Sequence, residues 1–175
     1  MVNNTKFQSK VPAMRILENE HQYLMYLMDE WHAIVLNFEN DVYEEIGARA
    51  EFSRLRKLLI DFLEPLKNHT DKEEKFFFPL LGHYIGTDQG PIVTIEAEHE
   101  EIDTYIGHFL HHTRAGMSEL SLDDMKHIAK DAGEAFEVLM VHFVKEESVL
   151  FPMTDRVMKA VDQDKLLEQL NTLIV

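Results

Sequence analysis

Four histidines and two glutamates in this chain stand in a pattern that suits a metal site. His69-x-x-x-Glu73-Glu74 is followed by a Phe-rich run ending in Phe78-Pro79, and His142-x-x-x-Glu146-Glu147 runs on to Phe151-Pro152. Each position of the second copy lies 73 residues after its counterpart in the first. A Glu-His pair precedes each copy, Glu20-His21 and Glu98-His99, repeating at 78 residues. On a helix a His and a Glu four apart share one face, about 6 Å apart along the axis. A single His-x-x-x-Glu arises often by chance. Two copies at a constant offset, each preceded by a matching His, do not.

The elements that must carry these residues follow from the spacing of apolar side chains. Positions three and four apart (Ile16, Leu17, Leu24, Leu27, Met28, Trp31, Val35) predict a first helix over about 12–38. A loop is expected over 39–48, and a second helix over about 50–78, kinked or divided at Pro65. A glycine-containing loop at 82–90 precedes a third helix over about 91–113, with Pro91 in its first turn. Ser121, with Asp124 three residues on, reads as the N-cap of a fourth helix reaching about Phe151, where Pro152 stops or bends it. A short amphipathic helix is expected over about 162–174. No strand alternation or hairpin dipeptide is evident. The expected fold is an all-α, antiparallel up-down four-helix bundle with a short C-terminal helix. It forms a single domain over 1–175, with the bundle at about 12–155.

Antiparallel topology brings the chemistry together. His21 and His99 come early in helices running one way, and His69, Glu73, His142 and Glu146 come late in helices running the other. All six therefore fall at one end, on faces otherwise lined by residues such as Leu17, Leu24, Phe62, Leu66, Ile95, Ile102 and Leu139. Two carboxylates buried in an apolar interior cost several kcal/mol each without a positive partner. No lysine or arginine shares those inward faces, so a cation has to come from outside. Four imidazoles and two carboxylates suit iron, manganese or zinc, although zinc rarely needs six protein ligands. Two irons bridged by Glu73, Glu146 and an oxo or hydroxo group would hold five ligands each. One position per ion stays open for O₂, NO or peroxide.

Composition narrows the alternatives. The net charge of −15, from 32 acidic and 17 basic residues, disfavours nucleic acid and anionic membrane as partners. There is no cysteine, which excludes disulfides, thiolate metal sites and a cysteine nucleophile. No run approaches the roughly 18 apolar residues of a membrane span, and no signal-peptide pattern opens the chain, so a cytoplasmic location is the expectation.

The paired His-x-x-x-Glu motifs with their preceding histidines resemble the hemerythrin-like cation-binding family over about 14–152. The resemblance implies an oxo-bridged di-iron centre inside an up-down bundle, with His21, His69, Glu73, His99, His142 and Glu146 at the ligand positions. Oxygen-carrying hemerythrins have a further His one turn after the third-helix His, where this chain has Asp103. They also place an Asp five residues after the fourth-helix His, where this chain has Glu146 at four. Four His and two Glu look more like the branch implicated in repair of iron centres after nitrosative or oxidative stress. Many members of that branch carry an N-terminal cysteine-containing domain, and this sequence has no counterpart of it. Asp103 is read as either an additional ligand or an acceptor for a ligand N–H.

Three functions remain open: a binding or sensing protein for O₂ or NO, or an iron store; a repair factor or an NO or peroxide reductase with an electron donor; and a metal-free interaction bundle. Of the other histidines, His32 shares the inward face about 16 Å from His21, and a core role is expected for it. His83, His108, His111, His112 and His127 are expected away from the site. Tyr23 and Tyr26 are expected to pack, and Glu74 and Glu147 to be solvated or to touch the ligands.

Overall fold

A computed structural model describes residues 8–171. Four long helices form the expected antiparallel bundle: α1 (Pro12–Glu39), α2 (Glu45–Lys72), α4 (Pro91–Thr113) and α5 (Leu122–Lys145). Beyond α2 the chain passes through a five-residue π turn, Glu73–Phe77, into α3 (Phe78–Ile85). Beyond α5 it passes through a second, Glu146–Leu150, into α6 (Phe151–Val157). A final helix, α7 (Ala160–Asn171), packs across the end formed by α1 and the first π turn. The expected C-terminal helix is therefore present; its last expected positions, 172–174, lie outside the described residues.

Proline and polar caps set several of these boundaries. Pro12 and Pro91 occupy first-turn positions, where their missing N–H costs nothing. Ser121 accepts from the Asp124 backbone N–H, and Asp124 accepts in return from the Ser121 N–H, a reciprocal capping box.

Three expectations about the second helix need correction. It begins at Glu45, so the loop before it is shorter than 39–48. It does not divide at Pro65 but runs unbroken through it. Buried Phe62 and Leu66, flanking Pro65, hold the helix against the core and offset the lost backbone bond. Helical structure also continues past Phe78 to Ile85, after the π turn.

The interior has two apolar clusters. The larger, with Leu24, Trp31, Phe52, Phe62, Phe109 and Leu139 among its members, fills the length of the bundle. The smaller, including Leu17, Phe77, Leu81, Ile95, Phe151 and Leu166, is closed by α7. His21 lies between Leu17 of one cluster and Leu24 of the other, so the polar residues occupy the level where the two meet.

Candidate metal centre

All six predicted side chains converge at that level. His21, His69, Glu73 and Glu146 offer nitrogen and oxygen atoms within 4.8 Å of one another, and so do Glu73, His99, His142 and Glu146. Glu73 and Glu146 belong to both groups. All six residues are buried, the two glutamates completely. Both carboxylates lie in the π turns, where the widened backbone displaces them from regular α-helical geometry.

Hydrogen bonding fixes how each imidazole is presented. The Nδ1–H of His21 donates to Glu147 at 2.9 Å, that of His69 to Glu20 at 3.0 Å, that of His99 to Glu74 at 2.8 Å, and that of His142 to Glu98 at 3.0 Å. With Nδ1 protonated in all four, each Nε2 presents a lone pair to the interior. His21 and His69 then face each other Nε2 to Nε2 at 3.0 Å, and His99 and His142 at 3.1 Å. The Nε2 atoms of His69 and His142 also lie 2.7 and 2.6 Å from oxygens of Glu73 and Glu146. In this tautomer these close approaches set lone pair against lone pair. All four carboxylate oxygens of Glu73 and Glu146 are sealed from solvent with no hydrogen-bond donor.

This donor set fits positively charged metal ions. Left with protons alone, the carboxylate pair is strained: burial and the facing Glu146 push the Glu73 carboxyl well above the usual range. Burial works against the charge on Glu146 too, but Glu73 and His142 hold its carboxyl well below that range. One proton would serve two carboxylates, where two cations would satisfy both them and the four nitrogens.

The four outer carboxylates form a closed ring in chain order. Glu20 of α1 holds His69 of α2, Glu74 of the first π turn holds His99 of α4, Glu98 of α4 holds His142 of α5, and Glu147 of the second π turn holds His21 of α1. Glu20 and Glu98 are further paired with Lys72 and Lys145, whereas Glu74 and Glu147 are 44% and 40% exposed. Burial works against the charge on Glu20, yet bonds from His69 and Lys72 lower its carboxyl below the usual range.

Aromatic rings keep the same twofold order. Phe151 stacks on His21 at 5.5 Å and Phe78 on His99 at 5.8 Å, the two phenylalanines being counterparts in the repeat. Phe143 has no such counterpart, since Thr70 stands at the matching position; it stacks on His21 at 4.2 Å.

Asp103 joins neither group among the described residues, and the Nδ1–H of His99 that it could have accepted goes to Glu74. The supporting roles of Glu20 and Glu98 were missed by sequence reasoning, although each adjoins a predicted histidine. The usable signal was that His21, Glu73, His99 and Glu146 each have a glutamate beside them, at repeated positions. His32 is half-buried rather than in the core and stacks flat on Phe136. Tyr23 and Tyr26 are exposed, not packed; His108, His111 and His112 are exposed as expected, and His127 and His83 are exposed too, His83 in α3 rather than in the expected loop.

Bundle, internal repeat and buried histidine–glutamate cluster together define a helical cation-binding domain. The hemerythrin HHE cation-binding domain matches residues 12–154, and the chain belongs to that family. It is 31% identical over 100 residues to the iron-sulfur cluster repair protein YtfE of Escherichia coli O157:H7, covering 56% of this chain and 46% of that protein. The same identity and coverage hold for the protein of that name from Salmonella typhimurium. The chain thus spans about half the length of the curated relatives it matches. No solved structure matches it significantly. No helix among the described residues is long and apolar enough to cross a membrane.

Proposed function

We propose that this chain holds two iron ions, one by His21 and His69 and the other by His99 and His142, with Glu73 and Glu146 shared between them. The observation that carries this reading is the pair of overlapping donor groups whose carboxylate oxygens are buried without a donor. When bound, such a pair supplies open coordination positions for a small ligand such as O₂ or NO, and redox chemistry with an electron donor. The function is then uptake of that ligand in oxidative or nitrosative stress, in the cytoplasm.

The protein's own part is to set the donors and exclude water. The outer glutamates fix the tautomer and direction of each imidazole and raise its basicity. Phe143, Phe151 and Phe78 wall the histidines and keep the surroundings dry. A second reading, iron-centre repair with the same residues, is favoured by the likeness to proteins named for iron-sulfur cluster repair. Glu74 and Glu147, exposed and free of lysine partners, would suit a centre that gives up its ions.

Metal analysis with an optical spectrum of anaerobically purified protein tests the core claim: two irons per chain are expected, and fewer than one would overturn it. Stoichiometric NO or O₂ binding without iron loss supports ligand uptake, whereas iron transfer to a cluster-depleted acceptor supports repair.

A further inference from the structure

The C-terminal turns of α4 carry three histidines that the centre does not use. His108 and His112 are both exposed and one turn apart, with ring centroids separated by 6.5 Å. His111 is exposed as well, its ring 5.6 Å from that of His112. His108 lies nine residues beyond His99, about 13 Å further along the helix axis, so it cannot reach the buried donors.

We propose that His108 and His112 form a separate surface site for one borderline divalent transition-metal ion of the copper(II), nickel(II) or zinc(II) class. Side chains at i and i+4 lie on the same helix face, so both imidazoles can turn toward one ion. Imidazole-to-metal bonds of about 2.0–2.1 Å place two rings on one ion at centroid separations of up to roughly 6 Å. The present 6.5 Å separation closes with a small rotation, and exposure leaves both rings free to make it. Their position favours a cation, because the negative end of the α4 helix dipole lies there. Arg114 follows the helix and Arg56 is tied to Thr113 Oγ1 at 2.9 Å, so some local positive charge opposes it. The chain's overall charge of −15 works the other way.

Donor chemistry separates the two sites. The buried groups combine imidazole with carboxylate, while the surface pair offers imidazole alone, with water filling the remaining positions. Two neutral nitrogens favour copper(II) first, then nickel(II) and zinc(II), over iron(II) or manganese(II). His111 lies about 100° around the helix from His112, so it is not the expected partner.

The test is calorimetric titration of the iron-loaded protein with copper(II) and zinc(II), with electron paramagnetic resonance of the copper form. One additional copper per chain is expected, with a two-nitrogen signature. His108→Ala or His112→Ala should weaken binding at least tenfold, while iron content stays at the wild-type value and His83→Ala leaves binding unchanged. The proposal is overturned if wild type takes up no additional copper, if the double variant His108→Ala/His112→Ala binds as tightly as wild type, or if His111→Ala abolishes binding and His108→Ala does not.

Discussion

Glu147 accepts a hydrogen bond from the Nδ1–H of His21 at 2.9 Å, joining residues 126 positions apart in the chain. The bond crosses from the second π turn to α1 and aims the Nε2 of His21 at the centre. Removing the acceptor frees the ring to rotate and to exchange tautomers. Glu147→Ala is expected to weaken metal retention by about 10–100-fold. Glu147→Gln, which can still accept, should have a smaller effect. The rate of iron loss to a chelator measures both.

The shared carboxylates should be less replaceable than any outer one. Glu146→Ala and His69→Ala each remove a donor and leave the remaining buried groups poorly compensated, so both should lose iron and melt at lower temperature than wild type. Unchanged iron content in both variants would count against the assigned ligands.

Metal removal should destabilise the native chain generally. Ions that bind the folded state alone stabilise it by about 2.7 kcal/mol at a hundredfold excess over Kd. Chelator-treated protein should therefore melt lower and recover on readdition of iron, as followed by circular dichroism.

The Ser121–Asp124 box gives a prediction at the far end of α5. Ser121→Ala should cost about 1 kcal/mol in denaturant unfolding. The Ser121 backbone N–H and hydroxyl hold the Asp124 carboxyl below its ordinary value. Its contribution is thus fully present above the ordinary aspartate range and lost as pH falls through the lowered value. The gap in melting temperature between wild type and Asp124→Asn should shrink as pH drops in that direction.

Phe109 is completely buried against Phe52 in the larger cluster. Phe109→Ala should cost about 3–5 kcal/mol through lost burial and the cavity left behind, with metal stoichiometry retained at temperatures where the variant is folded.

Most of the bundle was legible because its signal is periodic. Leu17, His21, Leu24 and Met28 mark one inward stripe, and antiparallel topology then places the six polar residues at a common depth. The π turns were not legible, since nothing in Glu73–Phe77 or Glu146–Leu150 departs from ordinary helical composition. A division at Pro65 does not occur for the opposite reason: its local cost is real, but Phe62 and Leu66 outweigh it. The pairs Glu20-His21 and Glu98-His99 are plain in the sequence, but the role of the glutamates is not, because adjacent helix positions point about 100° apart. Each reaches not the histidine beside it in the chain but the histidine of the following helix.

The carboxylate ring also has a mechanical consequence. Every long helix, counted with its π turn, gives one grip and receives one, so the four are hooped together at a single height. Sliding any one of them by a single residue, about 1.5 Å, would break both its grips and slacken the hoop for its neighbours. This end of the molecule should therefore come apart as a unit, and a loosened histidine in one half should be felt by the donors of the other.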